Sequence, residues 1–270
     1  MNTGIQARLD RIGTGGNYVV VPMDHGLTLG AVRGLKDIEA TIDAVTRGGA
    51  DSVLTQRGIA PRVHGKVNGA GYVVHLNGST SVGPDSNDKR ITGTVEEAVR
   101  AGADAVSLHL NVGSDYEGKH IEDLARVTEE AHRLGMPVLA MAYARGANLT
   151  GEDPEHDPEY LGHAVRLAEE LDADLVKTAY SGDAESFEHV CSSTRLPVII
   201  AGGEPDGDRA TLRTVRGAMD AGGAGVSMGR SIFQHDDPEA IARAVAGVVH
   251  DDLSADAALE RAGLSASSTA

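Results

Sequence analysis

The sequence predicts a single-domain (β/α)8 TIM barrel spanning residues 1–270, with an extra C-terminal helix, and three observations predict it. Short apolar runs rich in Val, Ile, Leu and Ala recur along the chain and alternate with segments of helical spacing. Near-continuous apolar strands of this kind belong to a parallel sheet covered by helices. A signature joining a helix end to a strand returns four times, at Gly49-Ala50-Asp51-Ser52-Val53, Gly102-Ala103-Asp104-Ala105-Val106, Asp172-Ala173-Asp174-Leu175-Val176 and Gly222-Gly223-Ala224-Gly225-Val226. Each interval between the matching valines is long enough for two strand–helix units, which gives eight units in all. A doubly wound open sheet would instead carry Gly-X-Gly-X-X-Gly after its first strand, and that fingerprint is absent.

Taken in order, Ile5, Leu9 and Ile12 have helical spacing, and the Gly-rich residues 13–16 lead into a first buried strand, Tyr18–Pro22, which ends at Met23-Asp24-His25-Gly26. A helix follows over about 37–47, closed by Gly48-Gly49 as helix C-termini prefer. The second strand begins at Ser52, and further strands fall at 72–76, around Val106, at 137–142, 174–180 and 197–201, and around Val226. Helical patterns lie at 121–134, 160–171, 209–221 and 238–249. Residues Ala255–Ala262 read as the extra helix, and the Ser/Thr/Ala tail after it as loose.

With 24 basic and 40 acidic residues the net charge is −16, which argues against a nucleic-acid partner needing a broad basic face. Lysine is scarce, aromatics make up 3% and tryptophan is absent, a balance that suits a high-salt cytoplasm or an ordinary acidic enzyme. The single cysteine, Cys191, fits a reducing compartment. No apolar run approaches membrane-spanning length, and the N-terminus lacks a basic segment followed by an apolar core, so a cytoplasmic protein with no membrane partner is expected.

Of the five lysines, Lys36, Lys66, Lys89 and Lys119 stand in surface-type contexts, whereas Lys177 sits inside the strand Asp174-Leu175-Val176-Lys177-Thr178-Ala179-Tyr180. Burial disfavours an ammonium and can leave a nucleophilic amine. A lysine that snorkels from a strand end or closes an ion pair would look the same.

In a barrel the chemistry lies at the C-terminal ends of the strands. The first strand offers Asp24, His25 and Thr28, the fifth Tyr143 and Arg145, and the sixth Lys177. A carboxylate, a phenol and an amine around one pocket are the parts needed to form an imine and move protons while a carbon–carbon bond is made or broken. The seventh and eighth strands end in Ala201-Gly202-Gly203 and Ser227-Met228-Gly229-Arg230-Ser231, where glycines, a short helix and an arginine suit a phosphate.

The stretches Val21-Pro22-Met23-Asp24-His25-Gly26, Met141-Ala142-Tyr143-Ala144-Arg145-Gly146, Val176-Lys177-Thr178 and Met228-Gly229-Arg230 resemble the archaeal-type class I aldolase family (DeoC/FbaB-like). The resemblance runs from about residue 5 to 250, with the motifs in order at the strand ends. It implies Lys177 as the Schiff-base lysine, Tyr143 as proton donor and Asp24 as proton acceptor, with no metal and no cofactor. It further implies that Asp24, His25, Gly26, Leu27, Thr28, Tyr143, Ala144, Arg145, Lys177, Gly202, Gly203, Gly229 and Arg230 line the substrate, and that the chain assembles as a homodecamer.

Dedicated fructose-1,6-bisphosphate aldolases of the family carry a tryptophan near the tyrosine. This chain has none, and its Ala140-Met141-Ala142-Tyr143-Ala144-Arg145-Gly146 is more similar to the synthase branch. That branch joins a three-carbon unit from a ketose phosphate to L-aspartate semialdehyde, an early step toward 3-dehydroquinate and the aromatic amino acids. A glycolytic fructose-bisphosphate aldolase is the alternative. Two other readings are weaker. His25, His75 and His109 near strand ends would suit a zinc aldolase, but no compact metal-binding spacing occurs. A non-catalytic sugar-phosphate-binding barrel would have no use for Asp24, Tyr143 and Lys177 together, and the acidic loop 151–159 reads as a solvated lid.

Overall fold

Eight short parallel strands pair in chain order and close on themselves. They are β1 (Tyr18–Pro22), β2 (Ser52–Gln56), β3 (Gly71–His75), β4 (Ala105–Val112), β5 (Val138–Ala144), β6 (Leu175–Thr178), β7 (Val198–Ala201) and β8 (Gly225–Ser227), with β8 returning to β1. The computed structural model describes residues 2–203 and 207–264, so the tail expected to be loose lies, from residue 265 on, outside the described residues.

The helices are α1 (Thr3–Ile12), α2 (His25–Leu29), α3 (Ile38–Arg47), α4 (Val95–Arg100), α5 (Glu117–Arg133), α6 (Pro158–Glu170), α7 (Ala184–Ser192), α8 (Asp208–Asp220), α9 (Arg230–Phe233), α10 (Pro238–His250) and α11 (Ala255–Ala262). The extra C-terminal helix is therefore present as read. The strand–helix alternation has one exception, because β2 runs into a 3-10 segment, Arg57–Arg62, rather than an α-helix. Pro61 inside that segment offers no N–H to continue a helical ladder.

Side chains of the strands alternate between two apolar layers. The inward set includes Val20, Leu54, Val73, Leu139, Leu175 and Ile199, and it packs on Ile5, Leu9 and Ile12 of α1, which closes the lower end of the barrel. Here α1 lies so close to β3 that a Cβ on Gly71 would stand 2.5 Å from the Arg11 carbonyl oxygen. The outward set, including Val19, Val53, Val106, Val138, Val176 and Val226, packs under the helices with residues such as Ile42, Leu124, Val165 and Val245.

The recurring signature has a structural use at the lower rim. The carboxylates of Asp51, Asp104 and Asp174 accept the backbone N–H groups of Val19 (2.7 Å), Tyr72 (3.1 Å) and Val138 (2.9 Å), each on the preceding strand. These N–H groups open strands and would otherwise lack a partner, which is costly in a buried position. The fourth repeat has Ala224 in place of the aspartate and keeps only the backbone bond, Ala224 N to Val198 O at 2.7 Å.

Candidate active site

The upper ends of β1 and β3–β8 surround a cavity of about 470 Å³ that includes Asp24, Tyr143, Arg145, Lys177, Gly202, Gly203, Gly229 and Arg230. Lys177 is the third residue of β6. Its register partners, Met141 on β5 and Ile199 on β7, both face the barrel interior, so Lys177 faces inward as well. It is only 7% exposed. Tyr143 lies two residues beyond Met141 on the same face of β5, one pleat nearer the mouth. The Arg145 guanidinium lies 4.4 Å above the Tyr143 ring, and its Nε is 3.5 Å from a carboxylate oxygen of Glu155 in the acidic loop. The same loop brings His156 to the cavity.

Asp24 caps the approach to α2, just past the end of β1, and its side chain is 20% exposed. Its oxygens lie 3.7 Å from His25 Nδ1 and 3.8 Å from His75 Nε2. Burial works against ionisation of Asp24, but His75, His25 and Lys177 outweigh it and hold the carboxyl below its usual range. Burial pushes both His25 and His75 down, against the opposing pull of Asp24. His75 is fixed through Nδ1 by Ser107 Oγ at 2.7 Å. His109, a register partner of Met141, lies against Tyr143 with ring centroids 5.0 Å apart. Burial first, then Lys89 and Arg145, push His109 well down.

At the opposite side, Arg230 Nη2 reaches the Gly203 carbonyl at 3.4 Å and Ser231 Oγ the Gly202 carbonyl at 3.3 Å, tying the ends of β7 and β8 together. Gly229 is required by proximity, since a Cβ there would stand 2.5 Å from His25 Cε1 and 2.9 Å from the Pro22 carbonyl oxygen. Among the described residues, no three His, Cys, Asp or Glu side chains are placed to hold one metal ion.

Ten of the thirteen residues expected to line the substrate line this cavity, and three do not. Ala144 is buried in the layer between strands and helices, as alternation along β5 demands once Tyr143 points inward. Gly26 and Leu27 belong to α2 and are turned away, Leu27 packing toward Gly78. The sequence reading also misplaced Lys89. It is 7% exposed and lines the cavity rather than the surface. Thr214 of α8 and Tyr180 are further lining residues without a sequence signal.

Residues 18–235 match the model of the DeoC/LacD family aldolases. The chain belongs to this family. It is 62% identical over 263 residues to a 2-amino-3,7-dideoxy-D-threo-hept-6-ulosonate synthase of Halobacterium salinarum, covering 97% of this chain and 98% of that one. A 2-amino-3,7-dideoxy-D-threo-hept-6-ulosonate synthase 1 of Archaeoglobus fulgidus is 37% identical and covers 96% of both chains. Among solved structures, an archaeal fructose-1,6-bisphosphate aldolase with its catalytic lysine covalently bound to the carbinolamine intermediate superposes with a TM-score of 0.81, at 29% identity, over 91% of this chain and 99% of that one.

Proposed function

We propose that this DeoC/LacD family member is a class I, Schiff-base synthase that transfers a three-carbon unit from a phosphorylated ketose to L-aspartate semialdehyde, giving 2-amino-3,7-dideoxy-D-threo-hept-6-ulosonate. The observation that carries the chemistry is Lys177, buried and inward in one cavity with Asp24 and Tyr143. The choice of product rests on the 62% likeness to the Halobacterium salinarum synthase.

The Lys177 amine adds to the ketose carbonyl carbon, and loss of water from the carbinolamine gives an iminium that accepts the electron pair of the breaking carbon–carbon bond. Asp24, kept ionised by its surroundings, is the proton acceptor, and Tyr143 is the proton donor. Gly202, Gly203, Gly229 and Arg230 offer the ketose phosphate backbone amides and a guanidinium. After the first aldehyde leaves, the three-carbon unit stays on Lys177 and attacks the second aldehyde, so exchange needs no group beyond those of a simple aldolase. Arg145, beside Glu155, suits the carboxylate and ammonium of that acceptor. No described helix is long and apolar enough to cross a membrane. The proposal includes assembly as a homodecamer, which light scattering would test.

Fructose-1,6-bisphosphate cleavage is the second reading, favoured by the superposition on the archaeal aldolase. Mass spectrometry of products from candidate ketose phosphates, with and without L-aspartate semialdehyde, separates the two. A seven-carbon amino sugar acid formed only with the semialdehyde supports the synthase. Rapid bisphosphate cleavage without that product overturns it.

A further inference from the structure

One hydroxyl at the level of Lys177 has no task in the chemistry proposed so far. Ser227, the last residue of β8, pairs in register with Ala201 and Val20, which both face the barrel interior, so its side chain points inward and forms part of the cavity wall. It is fully buried, and its Oγ has no hydrogen-bond partner. A hydroxyl taken out of water without a partner costs about 1–3 kcal/mol, and an alanine, as at Ala201 beside it, would avoid that cost. Among the described residues, Ser52, Thr178 and Ser227 carry hydroxyls buried in this way, and of these only Ser227 borders the cavity.

The register of the sheet sets that hydroxyl beside the reacting amine. A (β/α)8 barrel staggers by about one residue per strand, so inward side chains from alternate strands meet in tiers of about four. Lys177 on β6 pairs with Ile199 on β7, and Ile200 pairs with Val226, which puts Ile199 opposite Gly225 of β8. Two strands on, the stagger raises the tier by about two residues, from Gly225 to Ser227. The same step taken backwards, through the pairs of Leu175 with Leu139 and Leu139 with Ser107, and then of Ala105 with Val73 and Val73 with Leu54, adds Ser107 and Leu54. In this tier of Leu54, Ser107, Lys177 and Ser227, Leu54 has no polar side-chain atom and Ser107 is committed to His75 Nδ1 at 2.7 Å. Ser227 is left with a hydrogen bond to give to an atom attached to Lys177.

We propose that Ser227 is a further catalytic residue, whose hydroxyl donates a hydrogen bond to the oxygen of the carbinolamine on Lys177. This rests on the imine chemistry proposed above. When the amine adds to a ketone, the former carbonyl oxygen stays on the attacked carbon as a hydroxyl. The nitrogen lone pair then closes the carbon–nitrogen double bond, the carbon–oxygen bond breaks, and the oxygen leaves as water with a proton from Tyr143. Ser227 keeps its own proton throughout and steadies the oxygen while its bond to carbon lengthens. No hydrogen bond joins Ser227 Oγ to Lys177, which leaves the space between them to the attacked carbon and its oxygen.

The test compares wild type with Ser227→Ala, which removes the hydroxyl, and with Ser227→Cys, which nearly keeps the volume but is a weak donor. Each protein is given hydroxyacetone and, separately, dihydroxyacetone phosphate, so that the outcome does not depend on whether the three-carbon unit carries a phosphate. In water enriched in oxygen-18, each cycle of imine formation and hydrolysis puts a solvent oxygen into the ketone, which mass spectrometry follows. At saturating ketone, uptake of the label is expected to slow about tenfold in both variants. Borohydride trapping after long incubation is expected to place a full adduct on Lys177 in both, which shows that the fold and the amine are intact. Uptake at the wild-type rate in Ser227→Ala overturns the proposal. A slow Ser227→Ala beside a Ser227→Cys of wild-type rate assigns the effect to packing, and no adduct in either variant assigns Ser227 to the fold, so each of these overturns it too. A wild type that traps neither ketone on Lys177 is a different result, in which the Schiff-base reading fails and this proposal falls with it.

Discussion

His75 Nε2 stands 3.8 Å from Asp24 Oδ2. Asp24 is held below the usual carboxylate range despite burial, with His75 the largest of the groups that lower it. A carboxylate so placed stays ionised as the pH falls, and in the proton-accepting role proposed above it loses activity only as the pH drops through its lowered pKa. Removing His75 by His75→Gln takes away a group that becomes cationic in acid. The acid limb of the kcat/KM profile, followed over about pH 3 to 8, should therefore move to higher pH. An unmoved limb would mean that another group sets it.

Tyr143 is an inward phenol stacked beneath Arg145. In the proton-donating role proposed for it, replacement by Tyr143→Phe should lower turnover by about 10²- to 10⁴-fold. The borohydride adduct on Lys177 should still form, because the phenyl ring keeps the packing. Turnover near the wild-type rate would remove Tyr143 from proton transfer.

Gly229→Ala should damage the rim without touching a catalytic group. The new Cβ would meet His25 Cε1 at 2.5 Å and the Pro22 carbonyl at 2.9 Å, and the backbone oxygen cannot swing aside. Overpacking of this kind costs about 1–3 kcal/mol, or a Tm lower by roughly 2–4 °C for each kcal/mol. Calorimetry and turnover should fall together, and a wild-type Tm would show that α2 gives way cheaply.

His250 Nε2 lies 2.9 Å from Asp51 Oδ2, and that bond, opposed by burial, raises the histidine above its ordinary value. The stability it adds is fully present below the unfolded pKa of about 6.5 and is lost as pH rises through the folded pKa. Urea midpoints of wild type and His250→Gln should differ most in mild acid and converge in mild alkali. A constant difference would assign the loss to packing.

The barrel was legible because its strands are apolar on both faces and because one five-residue signature marks every second strand. What the signature does was not legible, since Asp51, Asp104 and Asp174 reach across to the preceding strand and only the closed sheet defines that neighbour. Lys177 stood out by its apolar flanks. Lys89 did not, because Ser86-Asn87-Asp88-Lys89-Arg90 has the composition of a solvated turn, and its burial comes from the loop being tied to β4 by Asn111 and to α2 by Thr28. The placement of Ala144 could have been read from strand alternation alone. The turning of Gly26 and Leu27 could not, as five residues of α2 are too short for a helical pattern to show.

With Ile5, Leu9 and Ile12 stopping the bottom of the barrel, the reaction chamber is a blind alley. Two aldehydes that must trade places on one lysine then share a single doorway, and traffic is one-way at a time. The first must clear the threshold before the second can enter, so an excess of either should crowd out the other. In a cell, the throughput of such an enzyme is governed by the ratio of its two aldehydes as much as by the amount of each.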